Sequence, residues 1–124
     1  MKPRFTIRYG WPQIHKIMEV LEKKFQAGKL SKDERKRLKL YVKCFNQLSF
    51  DPQYPGLKSH EISKLSQKYG IKVWQSYLKN NSPAAGRVFW IYGPNKKDIT
   101  ICAIEPHPDP DKYGKVKLST APVG

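Results

Sequence analysis

The chain has 124 residues, the size of one domain with one core, and its 39% hydrophobic and 12% aromatic residues exclude a disordered basic tail. It carries 24 Lys and Arg against 10 Asp and Glu, a net of +14, which favours polyanions, phosphate backbones first, because each neutralised phosphate releases a counterion. No apolar run approaches the ~20 residues of a membrane helix, the start MKPRFTIRYGWPQ lacks the apolar stretch of a secretory signal, and Cys44 and Cys102 form neither a metal spacing nor a disulfide framework.

A cytoplasmic location is therefore expected, with nucleic acid as partner and RNA favoured. The charge is uneven. Residues 1–50 hold 13 basic and 4 acidic groups, a net of +9, whereas residues 51–124 hold 11 and 6, a net of +5.

Phe5 to Tyr9 alternates and reads as a short opening strand. Pro12 suits the first position of a helix, in which Ile14, Ile17, Met18, Leu21 and Phe25 make an apolar stripe that Gly28 ends. Ser31 and Glu34, three apart, predict a capping box for a second helix. Leu38, Tyr41, Val42, Phe45 and Leu48 supply its apolar face. Lys32, Lys36, Lys39 and Lys43 fall within about 60° of one another on the opposite side, at roughly 100° per residue. They form either a solvated face or a phosphate-tracking ridge, on a helical hairpin of about 12–48.

Pro52, Pro55 and Gly56 punctuate a loop. Lys58 to Tyr69 fits a short strand and turn or a helical turn, closed by Gly70. Three strands follow, Ile71 to Leu78, Arg87 to Tyr92 and Ile99 to Glu105, rich in β-branched and aromatic residues. Asn80-Asn81-Ser82-Pro83 and Gly93-Pro94-Asn95 connect them, and such short connections predict antiparallel neighbours. The sheet should span about 57–105, with a Pro-rich tail at 106–124. The whole is one α+β domain, 1–124, with the helices on one sheet face and the other face free as a working surface.

The loop PGLKSHEIS (55–63) and the strands IKVWQSYL (71–78), GRVFWIYG (86–93) and ITICAIEPHP (99–108), in this order after a strand and a helical hairpin, resemble the RelE/ParE superfamily of toxin–antitoxin toxins over about residues 5–107. The resemblance implies a curved antiparallel sheet of three to four strands behind the hairpin. It also implies a metal-independent endoribonuclease that cuts mRNA, often on the ribosome, without a cofactor, and that is neutralised by a partner antitoxin. ParE-like members instead inhibit DNA gyrase, so the alternatives are a gyrase inhibitor of that kind or a basic RNA-binding module.

Metal-free cleavage needs a base for the 2′-OH, cations for the phosphorane and an acid for the leaving 5′-oxygen. Arg87 matches the family's central Arg and presents a bidentate guanidinium. Lys58 lies in the matching basic loop, Lys72 on the preceding strand, and His107 where several members place a catalytic His or Tyr. His60 offers a second acid or base. Tyr113, Lys115 and Lys117 are tail candidates for phosphate contact. Trp74, Trp90 and Tyr92 offer stacking surfaces for bases. Alternation sets Arg87 and Phe89 on one face of their strand and Trp90 and Tyr92 on the other, towards the helices if Arg87 faces the site. No Gly-rich phosphate loop, nucleophile elbow or Cys/His metal spacing is present.

Overall fold

The computed structural model describes residues 2–105 and 117–119. Strand β1 (Thr6–Tyr9) leads into helices α1 (Gln13–Gln26) and α2 (Lys32–Phe50). A 3-10 turn (Pro55–Leu57), strand β2 (His60–Glu61) and helix α3 (Ser63–Tyr69) come next, followed by strands β3 (Trp74–Lys79), β4 (Ser82–Tyr92) and β5 (Asp98–Glu105). The five strands form one sheet in the order β1-β5-β4-β3-β2.

The fold class is α+β, as expected, but the sheet is mixed rather than antiparallel. β1 runs parallel to β5, Ile7 beside Ile99. Short turns fix only the antiparallel pairs β3–β4 and β4–β5, and β2 pairs antiparallel to β3 across the connection that holds α3. The direction of β1 is set by the long connection through the hairpin, which sequence spacing does not constrain. A third helix also appears, since 58–69 holds both of the forms weighed for it: β2, then α3, closed by Gly70 at φ +70.

The helical hairpin packs on one face of the sheet. Ile14, Met18 and Leu21 of α1 and Tyr41, Phe45 and Leu48 of α2 are buried against Val88, Trp90, Ile99 and Ile101. The α2 capping box forms as predicted, Ser31 Oγ accepting from the Glu34 amide and Glu34 from the Ser31 amide. Three stripe positions depart from expectation. Phe25 is 66%, Val42 54% and Ile17 38% exposed. Phe25 lies in the last turn of α1, and Val42 lies about 80° from the centre of its stripe. Pro12 caps α1 rather than opening it.

The opposite face is not free. Ile62 and Leu65 pack with Val73, Phe89, Ile91, Cys102 and Ala103 into a second core cluster, and Leu118 lies against it. The Ser119 amide donates to Cys102 O and the Leu118 amide to Tyr69 Oη. Helix α3 and the 117–119 segment therefore cover much of the expected working surface. Among the described residues no helix is long and apolar enough to cross a membrane.

The turn between β3 and β4 is tighter than the sequence suggests. Asn80 and Asn81 alone make it, with Lys79 paired to Ser82 and Asn81 at φ 55. An Asn in the left-handed region is the usual chemistry of a two-residue hairpin. The pairing then slips. Tyr77 faces Arg87, so Pro83 to Gly86 stand against the single residue Leu78. Pro83 has no N–H for the ladder, and Gly86 sits at φ +115, a backbone state that side chains oppose.

Candidate functional site

The bulge delivers Arg87 to the sheet face opposite the hairpin. Register places Tyr77 of β3 on one side of Arg87 and Glu105 of β5 on the other. Phenol, guanidinium and carboxylate thus form one row across three neighbouring strands, and all three residues are half-buried. The Arg87 guanidinium carbon lies 4.4 Å from the Tyr77 ring centroid. Arg87 Nη1 donates to Pro83 O and, at 3.4 Å, to Gly86 O, both within the bulge. Arg87 Nε is buried with no partner. Among the described residues no carboxylate comes within ion-pair distance of this guanidinium, although Glu105 is its cross-strand neighbour.

His60 pairs with Gln75, two residues along β3 from Tyr77, and by alternation shares the face of the row. Its Nδ1 lies 3.0 Å from Lys58 O. A carbonyl only accepts, so Nδ1 carries the proton and Nε2 keeps its lone pair in the neutral ring. Lys58 is exposed at φ 50, just after the 3-10 turn. A relay fixes this loop to the core. Trp90 Nε1 donates to Ser76 Oγ at 2.8 Å, Ser76 and Ser59 hydroxyls lie 2.6 Å apart, and Ser59 Oγ donates to Pro52 O at 2.6 Å. Ser59 spends its one proton on Pro52, so Ser76 donates to Ser59.

Lys72 is not with this group. It is exposed before β3, five residues from Tyr77 and at the other end of the strand, about 17 Å at ~3.3 Å per residue. His107, Tyr113 and Lys115 lie outside the described residues. Lys117 is exposed and lines, with Lys16, Ile17, Arg37 and Glu105, a cleft of about 500 Å³ between α1 and the end of β5.

Trp90 is fully buried and stacks on Trp74, ring centroids 5.7 Å apart, with Tyr92 edge-on to both. This cluster belongs to the hairpin side, so Trp90 offers no surface to a base. On the Arg87 face Phe89 is fully buried, and Tyr77 is the aromatic beside Arg87. The sequence alone hides it, because its partnership depends on where the bulge falls.

On the hairpin, Lys32, Lys36, Lys39 and Lys43 are all exposed, and none has an ion pair among the described residues. Glu34, in the first turn of α2, is bonded across the hairpin. Its hydrogen bond from Lys24 at 2.7 Å, together with that from the Ser31 amide, holds its carboxyl down at about 2. Beside the ridge lies an apolar groove of about 750 Å³ floored by Phe25, Leu30, Leu38 and Val42 and flanked by Arg35 and Lys39. Burial pushes the Cys44 and Cys102 thiols up to about 12, so neither is a nucleophile at neutral pH.

No family model, curated protein or solved structure matches the chain.

Proposed function

We propose that the chain is a RelE-like endoribonuclease that cuts mRNA without a metal, on the ribosome, as the toxin of a pair neutralised by a cognate antitoxin. The observation that carries this is Arg87. Its guanidinium is held on a ring and on bulge carbonyls, its Nε is buried without a partner, and no described carboxylate neutralises it. A half-buried cation in that state keeps its charge for a phosphate, and its buried Nε lacks the acceptor that a phosphate oxygen would supply.

In the proposed reaction the 2′-oxygen attacks the adjacent phosphorus, the bond to the 5′-oxygen breaks, and the products are a 2′,3′-cyclic phosphate and a 5′-hydroxyl. His60, through Nε2, and Glu105, in the Arg87 row, are the described groups able to take the 2′-OH proton. His107, by resemblance, supplies the proton of the leaving oxygen. Lys58 adds positive charge at the rim, and the lysine ridge of α2 holds flanking phosphates. The antitoxin covers part of this basic surface.

The test is chemical. Ribosomes programmed with an mRNA are incubated with purified protein, and the 3′ ends of the fragments are analysed. Cyclic phosphate ends support the proposal. Fragments with 3′-hydroxyls contradict it. The exposed ridge favours one second reading, a module that binds RNA without cutting it. Tight, strongly salt-dependent RNA binding with intact RNA is its signature.

A further inference from the structure

We infer that Tyr77 is the positioning residue of Arg87: its ring, with the Pro83–Gly86 bulge, holds the guanidinium so that the Nε–Nη2 edge is kept unpaired for an RNA phosphate. The inference rests on the proposed site and adds a residue that the sequence did not nominate.

Three observations converge on it. First, Tyr77 and Arg87 are direct cross-strand partners, so the backbone sets their spacing. Second, the guanidinium carbon sits 4.4 Å from the ring centroid, inside the ~6 Å range in which the π-face attracts a cation. Third, both bulge carbonyls, Pro83 O and Gly86 O, take the same nitrogen, Nη1. A guanidinium is planar. A ring against its face and two acceptors on one nitrogen therefore fix both its plane and its rotation within that plane. Among the described residues the donors left over are Nη2 and Nε, the latter buried and without a partner. They share the side-on edge, and a phosphate that opens this edge meets two parallel N–H groups that match two of its oxygens.

Glu105 flanks Arg87 from β5 and, among the described residues, is the acid placed to compete for this edge. The carbonyls and the ring hold the guanidinium on the β3–β4 side, away from it. Tyr77 would accordingly act through the shape of its ring. Its hydroxyl has no assigned part.

The experiment compares wild type, Tyr77→Phe and Tyr77→Leu, with Arg87→Ala as the inactive reference. All four are checked for a cooperative thermal transition. Two readouts are taken. One is single-turnover cleavage of ribosome-bound mRNA. The other is the arginine Nε–H signal of Arg87 in ¹H–¹⁵N spectra, titrated with a 2′-O-methyl RNA oligonucleotide that cannot be cut.

Tyr77→Phe should cleave within about twofold of wild type and keep the Nε–H signal in place. Tyr77→Leu should lose roughly tenfold to hundredfold in rate, the scale of a misplaced reacting group, with its half-saturating ribosome concentration changed less than about threefold. Its Nε–H signal should collapse towards that of exposed arginines. A Tyr77→Leu protein that cuts like wild type overturns the inference, as does a Tyr77→Phe protein as slow as Tyr77→Leu, which would give the hydroxyl the role. If no protein cleaves, the nuclease proposal fails. The spectra then still decide on Tyr77: an Nε–H signal that responds to RNA in wild type and Tyr77→Phe but not in Tyr77→Leu upholds it, and equal spectra in all three reject it.

Discussion

Ser76→Ala should destabilise the protein more than the loss of one small hydroxyl suggests. Ser76 and Trp90 are fully buried, and Ser76 Oγ is the acceptor of Trp90 Nε1 at 2.8 Å. Alanine leaves that indole N–H without an acceptor where water does not reach, which costs about 1–3 kcal/mol. It also removes the donor to Ser59, which keeps its own bond to Pro52 O. About 2 kcal/mol in a domain of this length lowers Tm by about 6–12 °C. The assay is thermal unfolding of Ser76→Ala, Trp90→Phe and the double variant. Phenylalanine has no N–H to strand, so Ser76→Ala should cost less by at least about 1 kcal/mol in the Trp90→Phe background, within the coupling usual for residues in contact. Equal costs in the two backgrounds, or a Tm change below about 2 °C in the single variant, would refute the relay. The relay holds the 52–60 loop against the sheet, so the same substitution should also slow cleavage through Lys58 and His60.

Two further outcomes follow from packing and charge. A Cβ on Gly10 would stand 2.6 Å from Ile101 O and 2.7 Å from Ser119 Cβ. Gly10→Ala should therefore cost about 1–3 kcal/mol and release the 117–119 segment from β5, seen as faster amide exchange at Ser119. Acid should weaken the hairpin. The Glu34 carboxyl is held at about 2, below the ordinary 4.5, so its contribution is fully present above about pH 4.5 and fades as pH falls towards 2. Asp98 adds to the trend. Burial opposes its charge, but hydrogen bonds from the Asn95 amide and Arg8 outweigh that and lower its pKa. Thermal melts from pH 6 to 2 should show Glu34→Gln below wild type at pH 6, with the gap closing by pH 2. A gap independent of pH would contradict the assignment.

The elements with strong local signals were legible in the sequence. The capping box at Ser31, the apolar stripes of both helices and the three antiparallel strands all have causes within a few residues. The direction of β1 and the placement of α3 over the second sheet face depend on long-range packing, which spacing does not encode. The site shows the same division. The sequence points to Arg87, and strand alternation separates it from Trp90, as the two core clusters show. Its setting was not visible, because the slip of four residues against Leu78 decides that Tyr77 and Glu105 are its neighbours. A Pro and a Gly inside PAAG, just after an Asn-Asn turn, were the available hint of a bulge. The order of strands alone points to Lys72. It falls outside β3 because the chain after Gly70 does not join the sheet until Trp74.

The central claim is that Arg87 is the phosphate-binding cation of an RNA-cutting site. The most direct test is inducible expression in a bacterial cell, with primer extension on an abundant mRNA, comparing wild type with Arg87→Ala at equal soluble levels. Growth arrest with new mRNA 5′ ends in wild type, reduced at least about hundredfold in Arg87→Ala, is the expected result. Arrest with intact mRNA, or the same cleavage pattern at the same level in Arg87→Ala, would contradict it.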